Sequence, residues 1–209
     1  MSEIIETAWA GLLASSPWEY AAMVLSIVYL ALAARENIWC WPAAFISTAI
    51  YIVLFYDAVL LLESLLNVFY LLMAVYGWYE WRYRKSDKTG RAISAWSPRR
   101  NLLVVSTTSA VVLLAGYLFG RYTPSQLPYL DAFTTCFAVV ATFMVPWKIL
   151  DNWVYWLVID LASIYLYISR GLYVTALLFC IYIVLIVFGY IRWLREYRAA
   201  LREQSRSRP

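Results

Sequence analysis

The chain has no histidine at all. That removes the usual proton relay, the commonest metal ligand and the commonest general base. Cysteine is scarce: Cys40, Cys136 and Cys180 are an odd number, with no CxxC spacing. Each falls within or at the edge of an apolar run, so they read as small buried apolar residues rather than a disulfide or a metal site. No metal and no cofactor is expected. No GxxxxGK[ST] loop is present, which excludes nucleotide hydrolysis through that loop. Charged residues make up only 14% of the 209, against 64% hydrophobic. That is too apolar for a soluble domain, and the runs are too helix-like for a β-barrel.

What is present is a series of apolar runs near the ~20 residues that cross a hydrocarbon core. We read seven spans, at about 17–34, 38–56, 58–81, 101–119, 130–146, 150–168 and 171–193. The stretch before them, 1–16, is acidic and lacks a basic n-region, so no cleavable signal peptide is expected. Lys and Arg concentrate in 82–100 and in the tail after Arg192, on one side of a seven-span topology. Arg35 and Lys148 fall on that side too, and only Arg121 and Arg170 lie opposite. The positive-inside rule then puts the N-terminus outside and the C-terminus in the cytoplasm. The net charge of +4 is explained by these flanks and calls for no nucleic-acid partner.

A repeat runs through the spans. Glu36-Asn37-Ile38-Trp39-Cys40-Trp41 and Asp151-Asn152-Trp153-Val154-Tyr155-Trp156 are both acid-Asn-x-x-x-Trp. Tyr76-Gly77-Trp78-Tyr79-Glu80-Trp81 and Phe188-Gly189-Tyr190-Ile191-Arg192-Trp193 are both aromatic-Gly-x-x-x-Trp. The expected fold is therefore an all-α membrane protein. Two parallel three-helix repeats, 17–81 and 130–193, are joined by a linker helix at 101–119. A basic cytoplasmic loop at 82–100 and a basic cytoplasmic tail at 194–209 complete the organisation. Gly77 and Gly189 are expected to allow close helix packing. A ligand site between two such units suggests a transporter that rocks one unit against the other.

Polar residues at bilayer depth need a reason, because they are costly unless they face protein or water. Glu63 sits among leucines, with Asn67, Tyr70, Ala74, Gly77 and Trp81 within about 40° on the same helix face. The second repeat carries Thr175, Phe179, Tyr182, Gly189 and Trp193 in that stripe, without the acid or the amide. An asymmetric ligand would require such a difference. Glu63 could instead pair with a structural Tyr or Asn. Asp160 is the other deep carboxylate, at the edge of a stripe of Asn152, Trp156, Ser163 and Tyr167. Span 2 carries Asn37, Trp41, Thr48, Tyr51 and Phe55 on one face. Asn37 and Asn152 also suit simple helix capping. Trp41 and Trp156 suit either an interfacial belt or an aromatic box. The substrate-binding candidates are Glu63, Asn67, Trp41, Tyr70, Asn152, Trp156, Asp160 and Thr48. Two carboxylates among aromatic faces favour a planar cation. A sugar could use the Trp faces but would not need two acids. An intramembrane enzyme would have only Glu63 with Asp160 as a dyad, in no recognisable catalytic motif.

The chain resembles the PnuC family of bacterial vitamin transporters. The resemblance rests on Glu36-Asn37-x-x-x-Trp41-Pro42, Tyr76-Gly77-Trp78-Tyr79-x-Trp81, Asn152-Trp153-x-x-Trp156-x-x-x-Asp160 and Arg170-Gly171-Leu172-Tyr173, and covers about residues 20–195. It implies seven helices in a 3+1+3 arrangement, similar to SWEET sugar transporters but with differently ordered bundles. It implies a homotrimer in the bacterial inner membrane and facilitated diffusion of a vitamin. A cytoplasmic vitamin kinase would then trap the substrate by phosphorylation. The Glu63-Ser64-x-x-Asn67 pattern with Tyr70 resembles the thiamine (PnuT) branch more than the nicotinamide riboside branch, and the riboflavin branch least.

Overall fold

The computed structural model describes residues 16–57, 61–83 and 91–206. Residues 1–15, Arg84, Lys85 and Lys88 of the basic loop, and Arg208 of the tail lie outside the described residues. The described residues form seven helices: α1 Pro17–Ala34, α2 Cys40–Asp57, α3 Leu61–Tyr83, α4 Pro98–Tyr122, α5 Pro128–Met144, α6 Asn152–Ser169 and α7 Tyr173–Arg206. Their starts follow local chemistry. Proline occupies the first turn of α1, α4 and α5, where its missing N–H costs nothing. Ser16 and Glu19 close a capping box on α1. The Ser97 hydroxyl accepts from the Arg100 N–H at the start of α4.

Four helices, α1, α2, α4 and α7, are long and apolar enough to cross a membrane on composition alone. The other three are where polar groups sit or where the run is short: α3 carries Glu63 and Asn67, α6 carries Asn152 and Asp160, and α5 has 17 residues. Two boundaries differ from expectation. The linker helix spans Pro98–Tyr122 rather than 101–119. The last helix does not stop at 193 but runs to Arg206, absorbing most of the expected tail. Hydropathy ends at Trp193, but the following Leu, Arg, Glu and Ala residues are good helix formers. An Arg192–Glu196 pair at 3.3 Å braces that turn.

Within each repeat, successive helices pack as neighbours: α1 on α2, α2 on α3, α5 on α6, α6 on α7. The repeats meet where α1 packs on α7 and α3 on α5, while α4 packs on α5. The repeat has a constant offset of 112 residues, seen at the helix starts Cys40 and Asn152, and Leu61 and Tyr173. It also holds in the wedges. A Cβ on Gly77 would lie 2.3 Å from the Trp41 ring, and one on Gly189 would lie 2.5 Å from the Trp153 ring. Trp41 meets Trp81 edge-on at 5.2 Å, and Trp153 meets Trp193 edge-on at 5.3 Å. The motif alignment from sequence is therefore corrected. Trp41 corresponds to Trp153, not Trp156, and Glu36 to Lys148, not Asp151. The acid-Asn-x-x-x-Trp letters recur three residues out of structural register.

Candidate substrate site

Asp160 on α6 is a buried acid, 3% exposed, in the middle of its helix. It makes no hydrogen bond or ion pair among the described residues. Three tyrosines lie within Coulombic reach of it: Tyr70 on α3, Tyr167 on α6 and Tyr182 on α7. Glu63 on α3 reaches the same Tyr167. The structure therefore brings both intramembrane carboxylates to one aromatic cluster spanning the two repeats. Its rings continue from Tyr167 to Phe179 at 5.1 Å and from Phe179 to Tyr182 at 5.3 Å. The Tyr182 hydroxyl donates to Ser26 on α1, and Ser26 donates to the Met23 carbonyl at 2.7 Å. Tyr51 on α2 lies close to the same hydroxyl. An uncompensated carboxylate beside aromatic rings in a low-dielectric setting can bind a cation by charge and by ring quadrupole.

The other candidates are placed differently. Trp41 is 3% exposed and fills the gap over Gly77. It wedges α2 against α3 rather than offering a ring face. Its indole N–H has no partner among the described residues, and neither has that of Trp153. Asn152 is 1% exposed, and its amide donates to the Ile149 carbonyl. Asn37 accepts from the Trp39 N–H at 3.0 Å. Both asparagines thus serve the turn that starts a helix. The Asn67 amide donates to the Glu63 carbonyl at 2.9 Å, one turn back in α3. The Thr48 hydroxyl is turned onto its own helix, to the Ala44 and Phe45 carbonyls. Trp156 is half-buried between two apolar clusters built mainly from the second repeat, one against the linker helix and one between α6 and α7. Ser64 donates to the Ile52 carbonyl at 3.0 Å and so ties α3 to α2.

Sequence reasoning missed two features. Ser26 is the sole serine in α1 and belongs to no polar stripe, so nothing in its neighbourhood marks it. The second is at the basic end of the bundle. Glu36 and Lys148 form an ion pair between the α1–α2 and α5–α6 turns. They are structural equivalents of one another, so the pair straddles the axis relating the repeats. Both have left-handed backbones, with φ of 52° and 48°. The turns match bond for bond: Glu36 N to Ala33 O and Lys148 N to Val145 O, both 3.0 Å, and Asn37 N to Leu32 O and Ile149 N to Met144 O, both 3.0 Å. Burial acts to raise the Glu36 carboxyl, but hydrogen bonds from Glu196 and Lys148 and the Lys148 and Arg192 charges outweigh it. The net effect holds Glu36 below its ordinary value. Lys148 also lies 5.1 Å over the Trp81 ring. Asp151, read from sequence as half of a repeat motif, instead pins the entry to α4. It accepts from the Trp96 N–H at 2.8 Å and from the Asn101 amide at 3.0 Å.

Known proteins share this fold. The family model described as nicotinamide mononucleotide transporter matches residues 16–195. The riboflavin/roseoflavin transporter RibM of Streptomyces davaonensis is 27% identical over 176 residues, 81% of each chain. The nicotinamide riboside transporter PnuC of Escherichia coli is 22% identical over 205 residues, 86% of each chain. The crystal structure of the vitamin B3 transporter PnuC superposes with a TM-score of 0.74 at 22% identity, covering 94% of this chain and 88% of that one. The match begins at the cap of α1, crosses both repeats and the linker between them, and ends in α7: the chain belongs to the nicotinamide mononucleotide transporter (PnuC) family of multi-pass membrane transporters.

Proposed function

We propose that the protein carries an aromatic vitamin with a cationic ring into the cytoplasm by facilitated diffusion, with phosphorylation by a cytoplasmic kinase preventing its return. The observation that carries this reading is Asp160, a carboxylate 3% exposed with tyrosines around it and no cationic partner among the described residues. A charge at that depth is costly unless something meets it. A ring cation would meet it, flanked by Tyr70, Tyr167 and Trp156, with Glu63 as a second, shallower acid. The Lys and Arg distribution supports an outside N-terminus and a cytoplasmic C-terminus. A homotrimer is the assembly we expect.

Nicotinamide riboside and thiamine share the required ring charge. The thiamine preference rests on Glu63, Ser64 and Asn67 with Tyr70, and of these Ser64 and Asn67 are engaged within the helix pair α2–α3. The Escherichia coli relative is a nicotinamide riboside transporter. We therefore place nicotinamide riboside first and thiamine second. Riboflavin is a neutral ring and uses Asp160 least, although the RibM relative carries it. The test is uptake by purified protein in vesicles preloaded with buffer alone. We expect labelled nicotinamide riboside to equilibrate and stop, faster than riboflavin. Accumulation above the outside concentration under a proton or sodium gradient would overturn facilitated diffusion. Riboflavin uptake with no uptake of either cation would overturn the ring-cation reading.

A further inference from the structure

The two repeats place a tyrosine at the same point, Tyr70 on α3 and Tyr182 on α7, 112 residues apart. Their hydroxyls are not equivalent. Tyr182 is tied to Ser26, which packs beside it from α1. The position equivalent to Ser26 is Ala138 on α5, 4% exposed, in the cluster against which Tyr70 packs. Ala138 has no hydroxyl, and Tyr70 makes no hydrogen bond among the described residues. Tyr70 also lies near Asp160 and Tyr167. Both phenols lie near the unpartnered acid, but one is occupied by the protein and the other is left over.

We infer that Ser26 and Ala138 together set the direction in which the substrate lies: Ser26 occupies the Tyr182 hydroxyl, and Ala138 leaves the Tyr70 hydroxyl to hydrogen-bond an acceptor on the edge of the ring whose charge faces Asp160. The inference rests on the ring-cation reading above and adds the ligand's chemistry to it. The ligand is a planar cation with a carbonyl or ring-nitrogen acceptor beside the charge. Tyr70 and Ala138 then determine specificity, and Tyr182 serves the join between α1 and α7. A phenol left without a partner in an apolar cluster is a cost to the free protein, and the substrate relieves it.

Isothermal titration of the full-length protein with nicotinamide riboside tests this. Tyr70→Phe deletes one hydroxyl and should weaken binding about 3- to 10-fold, the range of one neutral hydrogen bond. Tyr182→Phe should change it less than about 2-fold, while lowering the melting temperature. Ala138→Ser should tie up Tyr70 and weaken binding by a similar factor to Tyr70→Phe. The Ala138→Ser/Tyr70→Phe double variant should be no weaker than either single one. Equal losses from Tyr70→Phe and Tyr182→Phe, or a well-folded Ala138→Ser that binds as the parent does, would overturn the inference alone. A parent protein that binds none of nicotinamide riboside, thiamine and riboflavin would overturn the substrate reading beneath it.

Discussion

The two repeats share a backbone and disagree in chemistry. The Trp41–Gly77–Trp81 wedge recurs as Trp153–Gly189–Trp193 with ring distances that agree to 0.1 Å. At equivalent places, however, Glu36 faces Lys148, Glu80 stands against Arg192, and Thr48 against Asp160. Glu63 and Asn67 become Thr175 and Phe179. Where a position holds helices together, the duplicate residue is kept. Where it lines the middle of the bundle, or joins one repeat to the other, the duplicate is changed in residue or, as with Tyr70 and Tyr182, in hydrogen-bond partner. A two-fold scaffold binding a ligand with no two-fold symmetry must diverge at the positions that touch it. A junction between equivalent turns must diverge as well, since two identical charges there would repel.

The largest effect should come from the shared part. Gly77→Ala and Gly189→Ala each drive a Cβ into a buried indole. Overpacking of this kind costs about 1–3 kcal/mol, so both variants should lose most of their monodisperse protein on size exclusion. A harmless Gly189→Ala beside a damaging Gly77→Ala would break the equivalence of the scaffolds.

Next in size is the junction. The Lys148 and Glu36 side chains are 13% and 18% exposed, so their pairing should be worth about 1–3 kcal/mol, between the exposed and fully buried cases. Glu36→Lys and Lys148→Glu should each lower the melting temperature and slow uptake, and the combined swap should recover part of both. A swap as poor as either single reversal would show that the two do not act as a pair. The Glu36 carboxyl is held below its ordinary value. Its stabilising contribution is therefore complete above about pH 4.3 and is lost as pH falls through the lower folded value. Melting scans of the parent should show this acid loss, and Glu36→Gln should lack it.

Smaller still is Glu63→Gln. Glu63 is half-buried near the start of α3, whereas Asp160 is enclosed. We expect about a 2- to 5-fold weakening of nicotinamide riboside binding, the size of a partly screened charge. A loss greater than that from Asp160→Asn would move the centre of the site from α6 to α3.

Much of the fold could be read from the chain because the bilayer leaves so few solutions. Apolar runs broken at Pro17, Pro98 and Pro128 mark helix starts, and Lys and Arg mark one face. The repeat itself was visible in the Gly-x-x-x-Trp motifs, whose Gly and Trp carry the packing. Its register was not, because Asn37 and Asn152 match as letters while the chain repeats through Trp41 and Trp153. The end of α7 was missed because hydropathy measures contact with lipid and not helicity. The polar stripe of α3 and the acid of α6 were legible as residues out of place among leucines. Which of them has a free polar group was not legible, because that depends on partners. Asn67 and Thr48 are engaged within their own helices, whereas Asp160 is not engaged. Ser26 could not be found from sequence, since its role comes from Tyr182, 156 residues away.

The central claim is that a ring cation is bound by Asp160, a deep carboxylate without a partner among the described residues. Titration of Asp160→Asn with nicotinamide riboside, thiamine and riboflavin tests it most directly. The substitution keeps the shape and removes the charge, and a charge-assisted contact is worth roughly 1.5–3 kcal/mol. Binding of the two cations should fall about 10- to 150-fold, with riboflavin affected far less. A well-folded Asp160→Asn protein that binds nicotinamide riboside as tightly as the parent would contradict the account.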